Sequence, residues 1–282
     1  MGIKILVDSS SDISAKEAER LGVEMLPIPI TFGDVEFEDG VSINTQEFYD
    51  KLTSSPTLPK TSQINGFRFE EAFERIVNGG DEVVAIVLSS KLSSTCTNAK
   101  QSAEKFAGKV FVVDSLSATA GIRVLVDYAL NLVKEGKTAQ EIYELLEDKK
   151  NKVEVVAMVD TLKYLKKGGR ISPLIAFAGE LMGIKPLVSI VEGKVEVIGK
   201  VVGGKKAIMQ IDKEIENRGG INIDMPFYVI YSGNDQSKAD DYINTHAQMW
   251  GVDANKIYKN CIGATIGTHI GPGAIGVIFF AK

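Results

Sequence analysis

The chain has 282 residues, 44% of them apolar and 24% charged, with a formal net charge of −5. That length suits two globular domains with sizeable cores, and the mildly acidic balance excludes bulk attraction to nucleic acid. Cys96 and Cys261 have no paired spacing, and only His246 and His269 supply imidazoles, so neither a disulfide framework nor a cysteine- or histidine-rich metal centre is expected.

The opening apolar run, Ile3 to Val7, is too short for a signal peptide. No stretch approaches the roughly 20 apolar residues of a membrane helix. Gly2 invites a myristoylation check, but Leu6 stands where that motif wants Ser or Thr. The expectation is a cytoplasmic protein without stable membrane anchoring.

One pattern recurs three times in the first half: an apolar strand, a hydroxyl-rich turn, then a helix. Ile3–Val7 leads through Asp8-Ser9-Ser10-Ser11-Asp12 to a helix over Ala15–Leu21. Val83–Leu88 leads through Ser89–Thr95 to a helix over Asn98–Phe106, and Val110–Val113 leads through Asp114–Ser117 to a long helix over Ala120–Lys134. Continuous Val/Ile/Leu runs alternating with helices read as a parallel sheet buried on both faces. A further helix over 138–150 closes this unit. The second half opens with a strand, Val153–Val159, and a helix ending at Lys166-Lys167-Gly168-Gly169. An apolar helix should start at Pro173, followed by an antiparallel hairpin turning at Glu192-Gly193. Helices near Lys206–Arg218 and Lys238–Trp250, with strands at Phe227–Tyr231 and Ala274–Phe280, complete the chain. The expected fold class is α/β: an N-terminal parallel-sheet α/β domain over 1–152 and a C-terminal α+β domain over 153–282.

Several motifs imitate chemistry. Gly199-Lys200-Val201-Val202-Gly203-Gly204-Lys205-Lys206 falls one residue short of a P-loop, because Lys206 replaces the hydroxyl that holds magnesium. It reads as a glycine turn opening a solvated helix. Gly271-Pro272-Gly273-Ala274-Ile275-Gly276 matches the dinucleotide fingerprint by letter but precedes a strand instead of a helix. No Gly-x-Ser-x-Gly elbow occurs. His246, mid-helix between polar and apolar neighbours, reads as a surface or boundary residue, and Glu70-Glu71 and Asp240-Asp241 read as solvated charge.

Four polar features remain. They are Lys60-Thr61-Ser62-Gln63, the turn Ser89–Thr95 with Ser93 near a helix start, Gly168-Gly169-Arg170, and His269 in the glycine-rich loop Thr268–Gly273. Each alone has a plain structural role: Ser93 and Thr95 as helix caps, Thr61-Ser62 as a capping loop, His269 as a loop residue satisfied by backbone. Together they read as an anion site, since ligands collect beyond the carboxyl ends of parallel strands and helix N-termini favour negative charge.

The chain resembles the DegV family of fatty-acid-binding proteins over nearly its full length. The resemblance lies in Asp8-Ser9-Ser10-Ser11-Asp12, Pro27–Gly33, Thr61-Ser62-Gln63, Leu92-Ser93-Ser94-Thr95, Asp114-Ser115, Tyr164–Ile171, Ile184-Lys185-Pro186 and Ile266–Ala274, in that order. It implies a non-enzymatic carrier that needs no cofactor and binds a long-chain fatty acid such as palmitate. The acid's carboxylate would be held by Thr61, Ser62 and Ser93 with Arg170 and His269 nearby. It also implies a fatty acid kinase as partner, which makes an acyl phosphate. For the tail, Leu174, Ile175, Phe177, Leu181, Met182 and Ile184, with Ile28, Ile30 and Phe32, are the candidate lining. The chain departs from the family pattern at Ser94, Cys96 and Ile64-Asn65. It departs again at Val202 and Gly204, where relatives tend to carry arginines; this thins a basic patch suited to a kinase. The competing reading is a stand-alone hydrolase or phosphoryl-transfer enzyme using Ser93 with His269, the Gly199–Lys206 turn holding a phosphate. A DNA-binding regulator finds no support in the charge or in any recognisable reading helix.

Overall fold

The computed structural model describes residues 2–172 and 183–282; the helix expected from Pro173, with the lining candidates Leu174, Ile175, Phe177, Leu181 and Met182, lies outside them. Elements are numbered along the described residues. The first sheet joins β2 (Glu24–Leu26), β1 (Ile3–Asp8), β6 (Glu82–Val87) and β7 (Val110–Asp114) in that order, every pairing parallel. The central strands β1 and β6 are the continuous apolar runs, because helices cover both faces of a parallel sheet. Those helices are α1 (Ala15–Leu21), α3 (Gly66–Asn78), α4 (Thr95–Ala103), α5 (Ala120–Lys134) and α6 (Ala139–Lys149).

A second, six-stranded sheet runs β10 (Lys194–Val202), β9 (Ile184–Val191), β8 (Val153–Met158), β13 (Ile275–Phe280), β11 (Tyr228–Tyr231) and β12 (Tyr258–Cys261). It is antiparallel except for the β11–β12 pair. Side-chain alternation sorts its residues between two cores. Val155, Ala157, Val188, Ile230 and Ile278 join the core of the parallel sheet. Val156, Met158, Leu187, Val229 and Val277 pack instead on α8 (Gly204–Asn217) and α9 (Ser237–Trp250). One face of the second sheet is thus turned towards the first.

A three-stranded antiparallel sheet, β4 (Val35–Glu38), β3 (Pro29–Phe32) and β5 (Lys60–Thr61), and α2 (Thr45–Ser54) fill the side of this junction. With α7 (Lys163–Lys167) and α10 (Ala264–Ile270) they complete the described elements. Sequence reading left most of 24–78 and the elements β12 and α10 unassigned. β5 has two residues and β2 three, too few for a hydrophobic period to show.

Two expectations change. Ile30 packs in a separate core with Ile43, Phe48, Tyr49 and Leu52, and Phe32 leans on the same cluster. His246 is buried: Nε2 lies 2.9 Å from Asp212 Oδ2, and its ring stacks on Tyr242 with centroids 3.9 Å apart, clasping α9 to α8. The near-P-loop is, as read from the sequence, a glycine turn opening a helix: β10 runs to Val202, Gly203 turns the chain and α8 begins at Gly204.

The β9–β10 hairpin turns at Glu192 (φ 48°) and Gly193 (φ 81°), the two left-handed residues that a tight primed turn demands. Its tip touches the loop after β6, where Ser89 Oγ donates to the Gly193 carbonyl at 2.8 Å. A Cβ at position 193 would stand 2.5 Å from Ser89 Oγ. Gly193→Ala should therefore cost about 1–3 kcal/mol, from left-handed strain plus displacement of Ser89. A urea midpoint equal to that of the parent chain would contradict this packing.

Candidate functional site

Where the carboxyl ends of the first sheet face the second, a cavity of about 360 Å³ opens. Its walls are apolar: Ile28, Leu88 and Ala118 from loops after the parallel strands, Val155, Ala157, Val188 and Ile230 from the facing sheet, and Ile262, Ile266 and Ile270 from around α10. Thr61, Ser62, Ser93, Arg170 and His269 all border the same cavity. The structure therefore brings the five sequence-selected residues together from four separate stretches of chain. Ile28 lines the cavity as expected, whereas Ile30, Phe32 and Ile184 are not among its described lining residues.

The local sequence explains how they meet. Thr61 ends β5, paired with Ile30 of β3, and the Ser62 N–H donates to the Pro29 carbonyl at 3.0 Å. Ile64 is gripped from both sides by α4: its N–H donates to Thr95 Oγ1 (3.2 Å), and its carbonyl accepts from Asn98 Nδ2 (2.7 Å). Those bonds lay the 61–64 segment beside the turn that carries Ser93. Ser93 stands one residue before the N-cap, Ser94, whose side chain makes no capping bond; Ser93 Oγ accepts from the Thr95 N–H at 3.2 Å and lies 3.0 Å from Thr95 Oγ1. One side chain thus secures the turn into α4 and borders the cavity. Asp8 and Asp114, at the ends of β1 and β7, brace the same rim by accepting from the N–H groups of Leu88 (2.7 Å) and Ser90 (3.1 Å).

Arg170 crosses between the two halves. Its Nε donates to the Leu92 carbonyl at 3.2 Å and its Nη1 to the Gly168 carbonyl at 2.6 Å. Both acceptors are neutral, so they orient the guanidinium without cancelling its charge.

His269 sits in the last turn of α10, with the glycine-rich stretch beginning only at Gly271; the loop placement expected from sequence is corrected. Its Nε2 lies 2.9 Å from Thr61 Oγ1. Its Nδ1 is buried without a hydrogen-bond partner among the described residues, lying against Gly168, where an added Cβ would come within 2.2 Å of it. Burial, with Arg170 adding repulsion, lowers the imidazole from its usual 6.5 to about 4. A protonated ring would bury an N–H with no acceptor, so the neutral form is favoured. The enzyme reading needs His269 as a base for Ser93, but the imidazole is bonded to Thr61 and the serine hydroxyl to Thr95.

Asp12 and Asp39 lie behind the cavity wall and were not selected from sequence. Asp39 accepts from Thr265 Oγ1 at 2.6 Å, and Asp12 from Thr119 Oγ1; both threonines line the cavity. Burial, followed among the raising influences by repulsion from Asp39, pushes Asp12 up to about 8. Asp12 closes the Asp8–Asp12 stretch, a hydroxyl-rich turn that is also part of the family resemblance, but nothing in its spacing singles Asp12 out. Among the described residues no group of His, Cys, Asp and Glu is arranged to hold a metal ion. No helix among them is long and apolar enough to cross a membrane.

A family model described as uncharacterised proteins of the DegV family matches residues 2–282. A DegV domain-containing protein from Deinococcus radiodurans is 31% identical over 281 residues, covering 98% of each chain. Another, from Caldanaerobacter subterraneus, is 31% identical over 285 residues and 99% of each chain. Among solved structures, a DegV family protein from Thermus thermophilus, characterised by fatty acid binding, superposes with a TM-score of 0.88 at 29% identity, with both chains fully covered. DegV of Bacillus subtilis, a fatty acid binding protein, does so with a TM-score of 0.86 at 26% identity, again over the full length of both chains.

With only two histidines, the titration of His269 is separable by NMR. In the ligand-free protein its ring should stay neutral down to a midpoint near 4. The unfolded chain protonates near the ordinary value of 6.5, so this residue withdraws stability as pH falls from about 6.5 towards 4. A midpoint at the ordinary value would mean that the ring is solvated and the mouth open.

Proposed function

The chain belongs to the DegV family, and on that premise we propose that it is a carrier that holds a long-chain fatty acid, carboxylate at the polar rim and tail in the apolar cavity. One observation carries the reading: hydroxyl, imidazole and guanidinium donors from four stretches of chain border one cavity whose lining is largely apolar. A cavity of about 360 Å³ lies within the range of small-molecule sites, roughly 300–1,000 Å³. The named solved relatives that bind fatty acids share this fold over the full chain.

The energetics suit an acyl chain. About fifteen buried carbons at ~0.8 kcal/mol each give roughly 12 kcal/mol gross, and ordering costs remove several of these. Each charge-assisted hydrogen bond at the carboxylate adds about 1.5–3 kcal/mol. The tail sets affinity; the head group sets direction.

In this reading the neutral His269 carries its proton on Nε2 and donates to Thr61 Oγ1, because its Nδ1 is buried and has no hydrogen-bond partner among the described residues. The Thr61 hydroxyl proton is then free to donate to the carboxylate. Ser62 and Ser93 add hydroxyl donors, and Arg170 adds positive charge close by. Nothing in this set requires a cofactor.

The rim also suits a fatty acid kinase as partner. Ser62, Gln63, Lys91 and Ser94 border the cavity and are exposed, so a carboxylate held there can be reached by a second protein while the tail stays enclosed. That partner would transfer a phosphoryl group to a carboxylate oxygen, giving an acyl phosphate. Val202 and Gly204, both exposed, replace the arginines of the family pattern and weaken attraction to an acidic or nucleotide-bearing surface.

Mass spectrometry of organic extracts from the purified protein should find about one long-chain fatty acid per chain. Thr61→Ala and Ser93→Ala should each weaken palmitate binding about tenfold or more; each also removes an internal hydrogen bond, to His269 or to Thr95, so the urea midpoint should fall by the equivalent of about 1 kcal/mol while the cooperative transition is kept. An extract without fatty acid, together with no uptake of added palmitate or oleate, would overturn the reading. Turnover of acyl esters by the protein alone, abolished by Ser93→Ala, would revive the enzyme reading.

A further inference from the structure

The helix that carries His269 is held at its other end by carboxylates from the N-terminal half. Asp39 accepts from the backbone N–H of Ala264 (3.3 Å) and of Thr265 (3.0 Å), and from Thr265 Oγ1 (2.6 Å). Asp12 accepts from the Gly263 N–H at 2.8 Å and from Asn260 Nδ2 at 3.1 Å. The N–H groups of Gly263, Ala264 and Thr265 are those of the N-cap and first turn of α10, which has no intrahelical partner for them; Asn260 lies on β12.

The helix has only seven residues, so its two ends move as one short rod. Thr265 and His269 stand one turn apart on the same face, and both line the cavity. Sliding or rotating the first turn therefore carries His269 Nε2 away from Thr61. Other contacts also hold α10: Tyr49 Oη donates to the Ile262 carbonyl at 2.9 Å, Ala264 packs in the core with Phe48, and Gly267 lies so close to Phe48 and Tyr49 that an added Cβ would meet them at 2.6 and 2.8 Å. Among the described contacts, however, the acceptors for the N–H groups of Gly263, Ala264 and Thr265 are Asp12 and Asp39.

We propose that Asp39, seconded by Asp12, is a positioning residue for the head-group site: by holding the first turn of α10 it sets His269 against Thr61. Asp39 does not touch the ligand. Each of its described contacts is a donor, so an amide at this position would put an N–H₂ against a backbone N–H and push the turn aside. The inference rests on the fatty acid reading, and the experiment separates the two.

Palmitate and 1-hexadecanol share a tail and differ in head group. Asp39→Asn should bind palmitate about tenfold more weakly than the parent, and hexadecanol within about twofold of it. The His269 ring signals should shift in the same variant. Should Asp39→Asn not fold, Thr265→Val removes one of the three bonds to Asp39 at nearly constant volume and should weaken palmitate selectively by a smaller factor. Unchanged palmitate binding in the folded variant would overturn the proposal, as would equal loss of both ligands, which marks a merely structural role. A parent chain that binds neither ligand would instead sink the fatty acid reading.

Discussion

The contact between Thr61 and His269 joins residues 208 positions apart, and the rim of the cavity depends on it. It requires β5 to lie beside α10, hence the three-stranded sheet to pack against the junction of the two larger ones. Around it the polar groups are used economically. Ser93 secures the turn into α4 and borders the cavity; Arg170 ties two loops together and keeps its charge. An apolar cavity bordered by donors of this kind favours a molecule with one anionic end and one long greasy end, because a buried polar group without a partner is costly.

Electrostatics divide the site in two. Towards the rim, burial keeps the imidazole neutral and leaves Arg170 as the charge, so a carboxylate meets a net positive environment. Behind the wall at Thr119 and Thr265 stand Asp12 and Asp39, their pKa values both raised by burial, and they already engage the two threonine hydroxyls, so that end offers a carboxylate no free hydroxyl from this pair. On the proposed reading this gives the acid one favoured direction. The same two aspartates hold the first turn of α10, so on the proposed reading one pair of side chains bears on both the ligand's direction and the placement of His269.

Much of this was legible in the sequence. The strands over Ile3–Asp8, Glu82–Val87 and Val110–Asp114 follow from apolar runs, and helices α1 and α5 run over the residues that their amphipathic pattern indicates. The hairpin turn followed from Glu192-Gly193. All five candidate site residues border one cavity, though spacing alone could not bring them together; the family resemblance supplied that step. What escaped was short or tertiary. Helix α10 has Gly267 within it and a helix-like stretch of only seven residues, so His269 looked like part of a loop. Asp39 precedes a glycine and reads as a turn, and nothing local reveals that it reaches Ala264, 225 positions away. His246 looked half-solvated because its partner, Asp212, lies on another helix. Ile30 and Phe32 had the right chemistry for a tunnel wall, but alternation along β3 and packing on α2 placed them in a core of their own.

The most direct measurement is a crystal structure of the protein with bound palmitate. The account predicts carboxylate oxygens within hydrogen-bond distance of Thr61 Oγ1 and Ser93 Oγ, with the tail running between the two large sheets past Ala157 and Ile230. A tail pointing out through the rim, a carboxylate beside Asp12 and Asp39, or an acid bound elsewhere on the surface would contradict it.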